Sequence, residues 1–263
     1  FPVISGNLDV SQSPELHGKV GGTMTLDVGG DKVGIVSALA MDTPETASPG
    51  PSVIFQDDIE SLKADVQELT DQGVNKIIVL SHSGYEVDKQ IAAETAGVDV
   101  IVGGHSHTLL SSTDPDAAGP YPTMVNGVPI VTAYAYGKYL GELTVTFDDA
   151  GKVISSSGAP LLLDASVAED APAQQLLAEL AVPLAELRAR VVAVSEAPID
   201  GSRDHCRQQE CEMGTLIADA QLDRMKDQGI TISLVNGGGV RASIEAGDVT
   251  MGQVLTVLPF QNT

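Results

Sequence analysis

The chain has 263 residues, with 14 lysines and arginines against 36 aspartates and glutamates, and a formal net charge of -22. This acidic excess would repel a polyphosphate backbone and argues against a general nucleic-acid binder, while 43% hydrophobic residues argue against a disordered chain. The length suits one large domain or two smaller ones, at about 100 to 200 residues each, and no apolar run reaches the roughly 18 residues of a membrane helix.

The two ends of the chain predict a fragment of a longer sequence. The segment that starts at Phe1 has the residue pattern of the interior of a strand. It lacks the charged start and the apolar stretch of a signal peptide. The last residues stop at Thr263 without a terminal cap or polar tail. Targeting therefore cannot be inferred directly from the sequence.

A helix and then a strand–helix–strand unit are predicted in the first part of the chain. Apolar residues recur at three- and four-residue steps over 57–71 and predict an amphipathic helix, which Gly73 ends. Short β-branched runs at 76–80 and 98–102 predict strands buried on both faces, with a helix over 88–96 between them. This order predicts a parallel βαβ unit, in which ligands bind beyond the carboxyl ends of the strands.

Further strands are predicted to complete the first domain. Residues 129–134 form one of them, and residues 139–147 show the alternation of a half-buried strand. A turn over 148–151 follows, so the domain is predicted to finish in an antiparallel hairpin.

The second half of the chain predicts a connecting helix and a smaller α/β region. An Ala/Leu/Glu-rich segment over 164–194 predicts an interdomain helix that Pro183 kinks or breaks. Residues 212–226 have helical periodicity, and residues 230–235 predict a strand that leads into a glycine-rich turn.

Three of the five histidines follow the predicted neighbouring strands directly. His82 ends the first strand, and His105 and His107 follow a Gly-Gly pair after the second. Neutral imidazole is the commonest metal ligand, and glycine lets the backbone approach closely. A single loop histidine would more simply make a hydrogen bond, but the cluster favours a metal site.

Two other features carry alternatives that the residues alone leave open. Cys206 and Cys211 predict a disulfide-closed loop in an exported protein and a reduced pair in a cytosolic one, whereas a zinc site lacks further ligands. The run from Asn236 to Arg241 offers three glycines and a guanidinium suited to a phosphate. The alternative for this run is a flexible turn with a solvated arginine.

Five segments of the chain together carry a family resemblance. They are Leu-Ser-His-Ser-Gly-Tyr-Glu-Val-Asp at 80–88, Asp-Val-Ile-Val-Gly-Gly-His-Ser-His-Thr at 99–108, Ala-Tyr-Gly-Lys-Tyr-Leu-Gly at 135–141, Cys-Arg-Gln-Gln-Glu-Cys-Glu-Met-Gly at 206–214 and Leu-Val-Asn-Gly-Gly-Gly-Val-Arg at 234–241. In this order they resemble 5'-nucleotidases of the metallophosphoesterase class, and the cysteine segment is most similar to the secreted ecto-5'-nucleotidases.

The resemblance implies an α/β fold in three parts. Residues 1–163 would form the C-terminal portion of a metallophosphoesterase α/β sandwich. Residues 164–194 would be a helical linker, and residues 195–263 would begin the 5'-nucleotidase C-terminal domain, which binds substrate.

The resemblance also implies two divalent metal ions, zinc first, with manganese, magnesium or cobalt as alternatives. His82 and His105 match metal ligands, and His107 stands where relatives carry differing polar residues, some of them ligands. The family's Asp-x-His and Gly-Asn-His-Glu segments are absent from these residues. The catalytic histidine-aspartate pair would therefore lie upstream of Phe1, and no catalytic residue is assigned within the chain.

The family's substrate contacts match residues near the end of the chain. Arg207, Asn236 and Arg241 match nucleotide-binding residues, and Phe260 matches one of two aromatic rings that sandwich the base. The partner ring would follow Thr263. Cys206 and Cys211 match a family disulfide, which implies an oxidising compartment: extracellular, periplasmic or cell-surface.

The function implied is hydrolysis of nucleoside 5'-monophosphates to nucleoside and phosphate by a two-metal-activated water. A fragment without the missing ligands is expected to be inactive, and a homodimer is one expected assembly. The alternatives are a 2',3'-cyclic nucleotide phosphodiesterase or nucleotide-sugar hydrolase on the same scaffold, or a non-catalytic nucleotide-binding relative.

Overall fold

The computed structural model describes residues 2–260 and divides into two compact units, Phe1–Val167 and Ala168–Thr263. Both units mix helices and strands, as the α/β prediction requires. Among the described residues, no helix has both the length and the apolarity to cross a membrane.

The described residues of the first unit, 2–167, contain twelve strands and three helices. The strands are β1 (Val3–Ile4), β2 (Leu8–Asp9), β3 (Val20–Gly21), β4 (Met24–Val28), β5 (Asp31–Leu39), β6 (Ile54–Phe55), β7 (Ile77–His82), β8 (Val100–Val102), β9 (Thr123–Val125), β10 (Val128–Val131), β11 (Tyr139–Phe147) and β12 (Val153–Leu162). The helices are α1 (Thr43–Thr46), α2 (Asp58–Asp71) and α3 (Tyr85–Glu94).

A six-stranded sheet in the order β4-β5-β7-β8-β10-β9 organises this unit. Strands β5, β7, β8 and β10 run parallel, which confirms the predicted βαβ unit β7-α3-β8. The apolar stripe of α2 packs into the core beside the sheet through Leu62, Val66 and Leu69. The Asp57 side chain caps α2 by accepting a hydrogen bond from the Glu60 N–H at 2.9 Å.

The predicted hairpin at the end of this unit is confirmed. Strands β11 and β12 pair antiparallel from Tyr139 opposite Leu162 to Phe147 opposite Val153, around the turn at 148–151. The β4-β5 hairpin was not predicted, although Gly29 and Gly30 turn it with positive φ angles of 64° and 94°.

Over residues 168–260, the second unit has four α-helices and a two-stranded sheet. Its elements are α4 (Ala171–Ala189), β13 (Val191–Ser195), α5 (Arg203–Cys206), α6 (Glu212–Met225), β14 (Gly247–Thr250) and α7 (Met251–Val257), with 3-10 turns at Lys226–Gln228 and Gly237–Gly239. Strands β13 and β14 pair antiparallel. The disulfide cysteines, Met213, Ile217 and Val240 are among the buried residues of its core.

One alternative and one element predicted for this unit are wrong. Helix α4 continues through Pro183 without a break, because loss of one N–H donor leaves the other hydrogen bonds of the helix in place, and the alternative of a kink stays a prediction. Residues 230–235 form no strand: Ile232 is 74% exposed and Leu234 is 90% exposed. A β-branched run becomes a strand only where a neighbouring strand accepts its backbone hydrogen bonds, and none of the described strands pairs with it.

Candidate functional sites

The strand-end histidines meet at one edge of the six-stranded sheet. His82 is the last residue of β7, and His105 lies in the loop after β8, its parallel neighbour. Their ring centroids are 5.2 Å apart in an edge-to-face arrangement. A β-carbon at Gly104 would lie 3.1 Å from His82 Nδ1, so glycine at this position allows the loop to approach the imidazole.

A carboxylate that the sequence analysis missed joins these imidazoles. Asp42 follows β5, which pairs parallel with β7, and its Oδ2 lies 3.5 Å from His105 Nε2. Burial lowers the pKa of His82, and the neighbouring His105 and His107 lower it further, while Asp42 acts in the opposite direction. The lowered pKa favours the neutral imidazole, which is the form that binds a metal ion.

His107 has a different neighbour from the other two histidines. Its ring centroid lies 5.2 Å from that of Tyr136, and both residues have positive φ angles. In the described part of the chain, three ligating atoms come within 4.8 Å of one another at Asp200, His205 and Glu212, not at the strand-end histidines. The donors at the sheet edge thus fit part of a metal site and do not complete a dinuclear centre.

A buried carboxyl group lies close to the ends of both strands that precede the histidines, near Ser81 and Gly103. Asp88 on α3 is fully buried, and a β-carbon at Gly103 would overlap its Oδ2. Burial raises the pKa of Asp88 to about 6, with a smaller rise from Asp58, while the Ser81 hydroxyl offsets part of the shift. The side chain therefore takes up a proton on folding at mildly acidic pH.

We expect this proton to make the stability of the first unit pH-dependent. The pKa of Asp88 is higher in the folded than in the unfolded chain. The contribution of this proton to the free energy of unfolding is therefore largest below about pH 4 and falls by about 3 kcal/mol as the pH rises to about 6. Asp88→Asn should remove this part of the decline in urea unfolding measured from pH 4 to 7.5. The exposed turn variant Asp149→Asn is the control, and an unchanged slope in Asp88→Asn would contradict the assignment.

In the second unit, a disulfide holds the first predicted substrate contact. Cys206 and Cys211 are joined, and Arg207 lies exposed within the loop they close. A β-carbon at Gly238 would lie 3.5 Å from Arg207 Nη2, so the guanidinium reaches the glycine turn. The side chain of Asn236 caps that turn by accepting a hydrogen bond from the Gly238 N–H at 3.1 Å.

Of the other two predicted contacts, Arg241 reaches the same turn and Phe260 lies against Arg241. Arg241 Nη1 donates to the Gly238 carbonyl oxygen at 3.2 Å. The guanidinium carbon of Arg241 is 5.5 Å from the centroid of the Phe260 ring, which is 55% exposed. Arg207, Asn236 and Arg241 thus meet at one short segment, Gly237–Gly239, and Phe260 is linked to it through Arg241.

This arrangement suits a ligand with an anionic group and a flat ring. A cavity of about 440 Å³ is lined by Cys206, Arg207, Asn236, Gly237 and Gly238. Guanidinium groups bind phosphate through paired N–H donors, and the exposed face of Phe260 can stack on a heterocycle. We name this set, Arg207, Asn236, Gly237–Gly239, Arg241 and Phe260, the arginine cradle.

Comparison with known proteins supports the predicted resemblance. Residues 191–263 match the family model of the 5'-nucleotidase C-terminal domain. The whole chain is 41% identical to a 5'-nucleotidase of Diplobatis ommata and 40% identical to one of Mus musculus, covering 49% of each. A crystal structure of a 5'-nucleotidase precursor from Thermus thermophilus superimposes with a TM-score of 0.89 at 43% identity, over all of this chain and 54% of that one. The chain thus spans about half the length of the relatives it matches.

Proposed function

We propose that this chain, which is similar to 5'-nucleotidases along its whole length, is part of a metal-dependent hydrolase that converts nucleoside 5'-monophosphates to nucleoside and phosphate. The observation that carries the proposal is the convergence of Arg207, Asn236 and Arg241 on one glycine turn, with the Phe260 ring against Arg241. These groups match the two ends of a nucleotide, its phosphate and its base.

Each group of the chain has a defined task in this proposal. Arg207 and Arg241 bind and orient the phosphate, and Phe260 stacks on the base. His82 and His105, as neutral imidazoles, hold metal, with zinc as the first choice and manganese, magnesium or cobalt as alternatives. A divalent metal ion held by these imidazoles would activate a water molecule and neutralise charge on the phosphoryl oxygens. His107 lies in the same loop as His105 and is proposed as a further ligand.

The domain limits and the cellular location are part of the same proposal. We propose metallophosphoesterase sequence over 1–163, a linker over 164–194 and substrate-binding sequence over 195–263; the family match over 191–263 supports a C-terminal domain in the last part of the chain. The Cys206–Cys211 disulfide supports an extracellular, periplasmic or cell-surface location, because disulfides persist in oxidising compartments. A homodimer is the proposed assembly.

The isolated 263-residue chain is expected to release almost no phosphate from adenosine monophosphate, because its sheet-edge donors do not complete a dinuclear site. The assay measures initial rates with zinc, manganese, magnesium or cobalt, and a snake venom 5'-nucleotidase run in parallel is the positive control. Clear metal-dependent phosphate release by this chain, abolished by a chelator, would contradict the expectation.

A further inference from the structure

We propose that Asp200, His205 and Glu212 form a second divalent-metal site, with zinc as the expected ion, beside the Cys206–Cys211 loop in the second unit. One ligating atom from each residue lies within 4.8 Å of the other two. The site is separate from the strand-end histidines, which belong to the first unit, and it does not depend on the proposed hydrolase function.

The donor set suits zinc. One imidazole and two carboxylates supply three protein ligands, a number that leaves a fourth tetrahedral position for water. Bonds of about 2.1 Å in that geometry place ligand atoms about 3.4 Å apart. The present separations reach at most 4.8 Å, so side-chain rotations would form the site if Glu212, which is exposed, moves closer and the direct Asp200–His205 contact opens.

The disulfide pre-organises two of the three ligands. His205 directly precedes Cys206, and Glu212 directly follows Cys211. The bond holds the two cysteine Cα atoms 5.2 Å apart, so the flanking side chains emerge beside each other. The disulfide thus holds residues 205 and 212 near each other before a metal ion binds, so that metal binding costs little further loop-closure entropy.

The third ligand is fixed by its own hydrogen bonds. Asp200 Oδ1 accepts from the Ser202 N–H at 2.8 Å and from the Ser243 hydroxyl at 3.4 Å. Its Oδ2 lies 2.5 Å from His205 Nδ1, which places imidazole and carboxylate in direct contact. A metal ion would replace the proton between these two atoms, which would move apart by about 1 Å to reach the spacing of tetrahedral zinc ligands.

The surroundings of the site are acidic. A surface depression of about 530 Å³ is lined by His205, Glu212, Glu210 and Asp219, together with three uncharged residues. Two further carboxylates beside the ligand set raise the local concentration of cations. Arg207 lies in the loop between the flanking cysteines, so metal binding here would also restrain the loop that carries part of the arginine cradle.

The test is a zinc titration of the 263-residue chain in which His82→Ala and His105→Ala remove the strand-end imidazoles. Calorimetry is expected to show one zinc ion per chain. Loss of a residue that only hydrogen-bonds to a metal ligand lowers metal affinity about 10- to 100-fold. Adding His205→Gln removes a ligand itself, so it should weaken zinc binding at least tenfold. His17→Gln, in an exposed loop of the first unit, is the matched control and should leave the affinity unchanged.

A second variant keeps the test valid if His205→Gln disturbs the fold. Glu212→Gln leaves the Asp200–His205 contact intact, and it too should weaken zinc binding at least tenfold, with the circular dichroism spectrum unchanged. The proposal is overturned if the His82→Ala/His105→Ala chain binds no zinc, or if Glu212→Gln binds it as tightly as that background does.

Discussion

Replacing Arg241 with alanine is expected to weaken binding of adenosine monophosphate to the chain by about 10- to 150-fold. A hydrogen bond between a guanidinium and a phosphate contributes about 1.5 to 3 kcal/mol, which corresponds to that range. Arg241 also donates to the Gly238 carbonyl oxygen and lies over the Phe260 ring, so the change removes a group that orders the cradle. Calorimetric titration of both proteins measures the difference.

The matched control for this experiment is Arg224→Ala. Arg224 lies near the end of α6 and lines an apolar groove with residues of α6 and α7, among them Leu216 and Val257. Its removal makes the same change in net charge without touching the cradle. Equal weakening by both variants would show that overall charge, and not the cradle, governs nucleotide binding.

Gly237→Ala is expected to destabilise the second unit by about 1 to 3 kcal/mol, the range found when a side chain is forced into a filled space. A β-carbon at this position would overlap the carbonyl oxygen of Cys206, which is backbone and cannot rotate away. The turn would have to move away from the disulfide loop. Thermal unfolding should show a midpoint lower by roughly 4 to 8 °C per kcal/mol in a unit of this size.

The neighbouring Gly238→Ala provides the contrast. Its β-carbon would stand 3.4 Å from the Asn236 amide and 3.5 Å from Arg207 Nη2, which is ordinary van der Waals contact. This variant should therefore unfold near the wild-type temperature while crowding the cradle. A Gly237→Ala protein as stable as Gly238→Ala would refute the packing argument.

The parts of the fold that the sequence predicts well are those specified by local pattern. The periodicity of α2 and the buried runs of β7 and β8 each identify an element without reference to the rest of the chain, and the parallel order follows from the helix between the strands. The same order places His82 and His105 at one edge. The arginine cradle was predicted from the family resemblance, since Arg207 and Phe260 are far apart in sequence.

The features that the sequence analysis missed depend on contacts between distant segments. Asp42 reaches His105 only because β5 lies beside β7. The group at Asp200, His205 and Glu212 exists because the disulfide and the hydrogen bonds of Asp200 bring together a loop residue, a residue of α5 and the first residue of α6. A histidine and a glutamate flanking a cysteine pair were the available signal. The predicted strand at 230–235 failed for the converse reason, since its pattern is correct but none of the described strands pairs with it.

The most direct test of the arginine cradle is a residue-by-residue nuclear magnetic resonance titration of the isotopically labelled chain with adenosine monophosphate. We expect the amide signals of Arg207, Gly238 and Arg241 to shift together along one binding curve, and adenosine without the phosphate to bind much more weakly. Shifts confined to other residues, or equal affinities for the nucleotide and the nucleoside, would contradict the proposed nucleotide site.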